Sequence, residues 1–410
     1  MKKTKSTRDH LTICILSREY PPETAWGGIG VYTYNLAHGL AQRGHAIHVI
    51  CESLRQETVV HDDTITIHRI MNKPFFKSRT LYPEFMNRFE YSRCVLHKIE
   101  ELDAQHGFDI IEGPNFAAEA YLFAQRKTIP LVTRLHTSFN GIIDQLEWER
   151  TMDRSLSCQL EDSVILNSDL VVFSTLGNKK YVFDNMGVWP RSIKIIPLGI
   201  PLPRVHAKRA EKKEKTVLYV GRLERRKGVD VLMHAIPRVV EQIPEARFQI
   251  VGRDTFVTNE TVGFQGDEGA SYKNVLLRSI PEHYHKHIDF TGYITDRELS
   301  ERYRDASVFV APSRYESFGL IFVEAMAHGI PVIGSRVGGV PEVIAEGQTG
   351  MLISSGNHEE CAQAIIELLT NDQKRHAMGA RARTYVEEHF SIDLMASRVE
   401  EAYREVMRAS

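Results

Sequence analysis

Short apolar runs alternate with segments of helical periodicity along almost the whole chain, and that alternation admits few architectures. LTICILS at 11–17 reads as a fully apolar strand, the kind a sheet covered on both faces requires. VYTYNLAHGLAQRG then sets Val31, Tyr34, Ala37 and Leu40 on one helical face and stops at Gly44, and HAIHVICE supplies the second strand. DIIEG, PLVTRLH, LVVFS and IKIIP continue the series. Past IIPLGIPLPRV and the charged stretch HAKRAEKKEK the pattern restarts with TVLYVG, the helix VDVLMHAIPRVVEQI, and ARFQIVG, followed by HIDFTGY, SVFVA, PVIGS and GMLIS. The alternation predicts an α/β protein of two doubly wound, Rossmann-like units meeting near Pro197–Pro203, with ligands in the cleft outside the carboxyl ends of the strands. The expected units are 1–200 and 201–390. A last helix within 391–410, with Leu394, Val399, Ala402 and Val406 near helical spacing, is expected to pack back on the first unit.

Length agrees with this division, since 410 residues exceed one ordinary core. The formal net charge of -2 supplies no strong field, which argues against nucleic acid as a partner. No apolar run approaches the roughly 18 residues of a membrane span, and MKKTKSTRDH leads only into a strand-length run, so neither a spanning helix nor a secretory signal is expected. Cys14, Cys51, Cys94, Cys158 and Cys361 are scattered and odd in number, the usage of a reducing compartment, and a cytoplasmic protein is expected.

Three stretches carry chemistry. In SREYPPETAWGGIGVYTYN, Gly27, Gly28 and Gly30 let backbone approach a ligand where a helix begins, and free N–H groups there favour an anion. A dinucleotide fingerprint with Glu52 as the ribose-binding acid is the rival, although Thr33 stands where its third glycine belongs; a plain tight loop is another. In YVGRLERRKGVDVL, Arg222 and Lys227 follow a strand end and suit a diphosphate, against the alternative of a solvated basic loop that also includes Arg225 and Arg226. In PSRYESFGLIFVEAMAHGIPVIGS, a helix over 317–328 would set Glu316 and Glu324 roughly 12 Å apart along its axis. A carboxylate among Val, Ala and Met needs a partner, either vicinal hydroxyls of a ligand or an internal Arg or Lys.

Together ESFGLIFVE, GRLERRKG and GSRVGGVPEVI, with YPPETAWGGIGVY and RLHTSF upstream, resemble the retaining glycosyltransferases of family 4, which have the GT-B fold. The resemblance implies that Arg222 and Lys227 clamp a nucleoside diphosphate, that Glu324 holds the ribose, and that Glu316 contacts donor-sugar hydroxyls. It implies that N–H groups of Phe318, Gly319 and Leu320 face the sugar or phosphate, while Gly28, beside Gly27, approaches the β-phosphate from the other unit. His136 of TRLHT matches the histidine beside the reacting sugar, and Asn115 of EGPNF belongs to the loops expected to bind the acceptor. No Asp-x-Asp occurs in the chain, so cations and helix dipoles are expected to replace a metal, and no cofactor is implied. The implied enzyme is a metal-independent hexosyltransferase using a nucleotide-sugar, UDP-sugar before GDP- or ADP-sugar, with an unidentified acceptor. The competing classes are a non-catalytic sugar-nucleotide binding protein and an NAD(P)-dependent oxidoreductase.

Two regions depart from that pattern or extend it. The segment 253–287 is longer than the family's usual connection and holds alternating His283, His285 and His287, too few ligands at metal spacing to predict a site. Residues 71–98 mix Lys73, Lys77, Arg79, Arg88 and Arg93 with Phe75, Phe76, Tyr82, Phe85 and Phe89. They suit either a peripheral contact with the inner membrane face or an amphipathic core helix with one solvated side.

Overall fold

A computed structural model describes residues 9–24, 27–73, 81–186, 189–203, 215–255 and 271–409. Two sheets organise it. The first joins β1 (Thr12–Leu16), β2 (Ala46–Ser53), β3 (Thr58–Asp62), β4 (Ile65–Met71), β5 (Ile110–Pro114), β6 (Leu131–Leu135), β7 (Leu170–Phe173) and β8 (Ile193–Ile195) in the order β3-β4-β2-β1-β5-β6-β7-β8. All its pairings are parallel except β3 with β4. The second joins β9 (Lys215–Val220), β10 (Ala246–Val251), β11 (Ile288–Gly292), β12 (Val308–Ala311), β13 (Val332–Ser335) and β14 (Gly350–Ile353) in the order β11-β10-β9-β12-β13-β14, parallel throughout. Strand order reverses beside β1 and β9, and the chemistry-bearing loops leave the carboxyl ends of β1, β6, β9 and β12.

The two units are tied together. Helix Ile392–Ala409 lies against helix Gly28–Gln42, burying Met395, Ala396, Val399, Ala402, Tyr403 and Val406, while Leu394 is only half-buried. The approach is close because Gly39 has no side chain; a Cβ there would lie 2.7 Å from Ile392 Cγ2. Arg43 of the first helix pairs with Glu400 of the second at 2.7 Å. Phe390, just before the last helix, packs edge-on against Phe318 with centroids 5.6 Å apart.

The structure corrects one of these expectations and adds to others. The β3–β4 hairpin was not anticipated: TVVHD in β3 is an edge strand exposed over most of its length, so no buried face imprints a period on it. The helix expected over 317–328 starts only at Leu320, because Gly319 adopts a left-handed conformation (φ 95°) and turns the chain. Glu316 therefore lies in the preceding loop. Helix Pro83–His106 turns part of the basic, aromatic segment inward: Phe85 and Phe89 pack on the core, and Arg88 pairs with Glu161 at 3.1 Å. Phe75, Phe76, Lys77 and Arg79 lie outside the described residues. Within 253–287 a helix covers Tyr272–Arg278 and a 3-10 turn covers Glu282–His287, where His285 holds the carbonyl of Leu277 and His287 Nδ1 accepts from Arg247 at 2.9 Å.

Candidate functional site

After β9 the chain turns through Arg222, which is 58% exposed, and then a 3-10 turn, Arg225–Lys227. Gly228 ends that turn in a left-handed conformation; a Cβ there would sit 1.8 Å from the Pro312 carbonyl oxygen, so the two loops pack backbone to backbone. This contact delivers Lys227 to the loop after β12, where its Nζ donates to Glu316 Oε1 at 2.6 Å. Ser313 Oγ donates to the same oxygen at 3.0 Å. Burial alone would raise the Glu316 carboxyl, but Lys227, Arg226 and the two hydrogen bonds bring it below the usual range. Burial lowers Lys227, with Glu316 opposing.

Helix Leu320–Ala327 follows, and its N-terminus faces that of helix Gly28–Gln42: a Cβ on Gly28 would lie 3.8 Å from Leu320 Cδ1. Phe318 is buried behind this junction. One turn further along, Glu324 accepts a hydrogen bond from the Tyr303 hydroxyl at 3.0 Å. Burial pushes its carboxyl up to about 7, with the Tyr303 hydrogen bond opposing and Asp296 adding a smaller push. Its partner among the described residues is a hydroxyl, not an internal Arg or Lys. Glu324 and Tyr303 line a cavity of about 930 Å³ between the units, whose opposite wall includes Val31, Tyr34 and Arg69.

On the other side of the cleft a residue absent from the sequence reading occupies the glycine loop. The Glu19 carboxylate packs on Gly27, where a Cβ would come within 2.8 Å of Oε2, and accepts from Gly30 N at 3.4 Å. Burial raises its carboxyl, while the Gly30 and Gly27 N–H groups and Arg222 oppose that. A lone acid three residues past a strand end gives no periodic signal, so only the folded loop reveals it. Glu52, the acid of the dinucleotide reading, pairs with Arg18 at 3.8 Å.

His136 ends β6. Its backbone N–H donates to Asn115 Oδ1 at 2.8 Å, its ring meets Tyr32 edge-on at 5.4 Å, and its buried Nε2 has no partner. Burial, then the adjacent Arg134, pushes the imidazole down to about 3, so it is neutral. Asn115 requires correction: it is fully buried, with its amide committed to His136 and to Glu161 Oε2 at 3.3 Å. It sits behind the cleft wall and supports His136. Glu161 also accepts from Ala117 N and Phe139 N, at 3.0 and 2.9 Å.

Residues 26–204 match the family model "Glycosyltransferase Family 4", and residues 204–385 match "Glycosyl transferases group 1", so the two models in succession cover every strand but β1. The chain belongs to glycosyltransferase family 4. This glycosyltransferase is 27% identical over 425 residues to a D-inositol 3-phosphate glycosyltransferase of Corynebacterium aurimucosum, covering 95% of this chain and 93% of the relative. Its fold is that of sucrose-phosphate synthase from Thermosynechococcus elongatus (TM-score 0.77, 23% identity, 98% of this chain and 100% of the other). Anabaena HepE in complex with UDP and glucose is also similar (TM-score 0.70, 18% identity, 96% of this chain and 99% of the other). The architecture is GT-B. Among the described residues of the glycosyltransferase, no helix is long and apolar enough to cross a membrane, and no group of three or more His, Cys, Asp or Glu is arranged to hold a metal ion.

Proposed function

We propose that the enzyme transfers a hexosyl group from a nucleoside diphosphate sugar, UDP-sugar in preference to GDP-sugar, with retention of anomeric configuration and without a metal ion. The observation that carries this reading is that the Lys227–Glu316 pair stands just ahead of the helix beginning at Leu320, which Gly28 approaches from the other unit, while Arg222 acts on Glu19 in the glycine loop. As the bond from the anomeric carbon to the diphosphate breaks, negative charge grows on the departing oxygens. Guanidinium, ammonium and peptide N–H groups already aimed there stabilise that state more than the ground state.

Each residue then has a task. Arg222 and Lys227 take the diphosphate, and Gly28 admits it to the N-terminus of its helix. Glu316, released in part from Lys227, accepts donor-sugar hydroxyls, with N–H groups of Phe318, Gly319 and Leu320 beside it. Glu324 accepts the ribose hydroxyls. His136, neutral and with Nε2 unpartnered, offers a hydrogen bond to the sugar. In front-face substitution the acceptor oxygen bonds to the anomeric carbon on the face the diphosphate leaves, and its proton passes to a diphosphate oxygen, so no separate base is needed. The lack of any Asp-x-Asp in the sequence supports a role for the cations in place of a metal. HepE, which shares the fold, was solved with UDP, and this favours UDP as the first donor base to try. The free cysteines, four of them buried, suit a cytoplasmic enzyme.

A thermal-shift panel of UDP-, GDP- and ADP-sugars tests the donor, and nucleotide release with and without EDTA tests the metal. Stabilisation by one base class with EDTA-insensitive release is expected. Release that stops in EDTA, or a product of inverted anomeric configuration by NMR, overturns the corresponding part.

A further inference from the structure

Tyr315 and Ser317 flank Glu316, and both are held from the opposite unit. The Tyr315 hydroxyl donates to Asn178 Oδ1 at 3.0 Å, and Thr175 Oγ1 donates to the Ser317 carbonyl at 2.8 Å. Within its own unit Asn178 Nδ2 donates to the carbonyl of Leu135, the residue before His136, at 3.2 Å. One fully buried carboxamide thus bridges the neighbour of His136 to the neighbour of Glu316. Its own N–H donates to Thr175 Oγ1 at 3.0 Å, which locks the two contacts together.

The surrounding backbone leaves this bridge little freedom. Asn178 lies in the first turn of helix Leu176–Met186, whose Leu176 and Gly177 N–H groups donate to the Glu342 carboxylate of the second unit at 2.8 and 2.7 Å. A Cβ on Gly177 would lie 2.2 Å from the Gly338 carbonyl oxygen, and one on Gly338 would lie 2.0 Å from that of Glu316. Gly339 N donates to the same Glu316 carbonyl at 2.9 Å. Helix, glycine loop and Glu316 loop are therefore stacked backbone on backbone across the boundary between the units.

We propose that Asn178 is a positioning residue that sets His136 and Glu316 relative to one another, so that the sugar-facing edge of the site is complete only when helix Leu176–Met186 docks on residues 315–317. This rests on the donor-site reading above. Of the groups assigned to the phosphates and ribose, Arg222 and Glu324 lie outside the bridge and Lys227 is linked to it only through its contact with Glu316, so loss of the bridge should affect the chemical step far more than nucleotide binding.

Asn178→Ala and Tyr315→Phe, alone and combined, test this with UDP-glucose and GDP-mannose hydrolysis, UDP affinity, melting temperature and small-angle scattering. Expected are a loss in kcat of about tenfold or more for each single variant, as misplacement of reacting groups produces, UDP affinity within about twofold of wild type, and a double variant no worse than the worse single one. Because Tyr315→Phe removes one oxygen atom, it keeps the test open if Asn178→Ala folds poorly. An unchanged kcat in folded Tyr315→Phe, or UDP affinity falling in step with kcat, overturns the proposal. If the wild type turns over no sugar nucleotide, the donor reading fails and scattering decides the bridge alone: a larger radius of gyration in Asn178→Ala supports it, an identical one overturns it.

Discussion

Lys227 Nζ lies 2.6 Å from Glu316 Oε1, so the cation assigned to the leaving diphosphate and the carboxylate assigned to the sugar neutralise each other. Both side chains are largely buried, and removing one strands the other's charge. Lys227→Met alone should lower unfolding free energy by about 3 kcal/mol or more. Lys227→Met combined with Glu316→Gln should recover most of it, yet neither variant should turn over donor. Urea titration of wild type, both singles and the double measures this. A double variant as unstable as the worse single one would show that the pair does not carry the coupling.

The Glu324 carboxyl, raised from 4.5 to about 7, is expected to act on stability and on binding with opposite signs. Between those two values the folded chain keeps a proton that the unfolded chain has released, so this group's contribution is fully present below the unfolded value and is lost as pH rises to about 7. Glu324→Gln should therefore gain stability relative to wild type as pH climbs from 4.5 to 7. Ribose hydroxyls donate to the ionised form, so wild-type affinity for UDP-glucose should increase over the same range. That sugar nucleotide is the better probe, because its diphosphate does not titrate there. Calorimetric titrations at pH 5 and 8 with parallel slopes for wild type and Glu324→Gln would remove Glu324 from the ribose site.

His136, pushed down to about 3, should remain a neutral imidazole throughout the working range. An acid limb of kcat between pH 5 and 7 should therefore survive in His136→Gln, with the loss appearing as a uniform drop in kcat. Histidine NMR of the folded enzyme checks the same point directly. A ring that titrates near 6.5 would contradict it and would return His136 to the set of proton carriers.

What the sequence discloses follows from how burial marks it. LTICILS and TVLYVG announce themselves because parallel strands covered on both faces carry apolar residues at successive positions. Arg222, Lys227 and Glu316 were legible as charges placed where strands end, and the structure joins the last two. The β3 strand left no trace because its exposed edge requires no apolar partner. Asn115 and Asn178 were not legible for what they do, because an amide's role depends on which carbonyls and N–H groups the fold brings to it. Glu19 was hidden for the same reason: its partners, Gly27 and Gly30, are backbone.

Glu19 occupies the helix terminus that a diphosphate is expected to approach, with Arg222 across from it. A charge at such a terminus is worth ~0.3–1 kcal/mol, so freeing the site from its internal anion should tighten UDP binding by about two- to fivefold in Glu19→Gln. Isothermal titration at constant ionic strength measures this. Weaker binding in the variant would instead make Glu19 a direct ligand of the substrate.

Gly28 offers a test that separates space from stability. A methyl group there clears Leu320 Cδ1, since the Cβ would lie 3.8 Å away, and alanine is worth about 0.5–1 kcal/mol over glycine within a helix. Gly28→Ala should thus melt at or above the wild-type temperature. The same methyl group projects into the gap between the two helix N-termini, where backbone N–H groups must come within about 3 Å of a phosphate oxygen. UDP affinity should fall at least about tenfold, while a buried-core property such as the urea m-value stays unchanged. A stable Gly28→Ala enzyme that binds UDP as well as wild type would place the diphosphate away from this helix and leave Arg222 and Lys227 to hold it unaided.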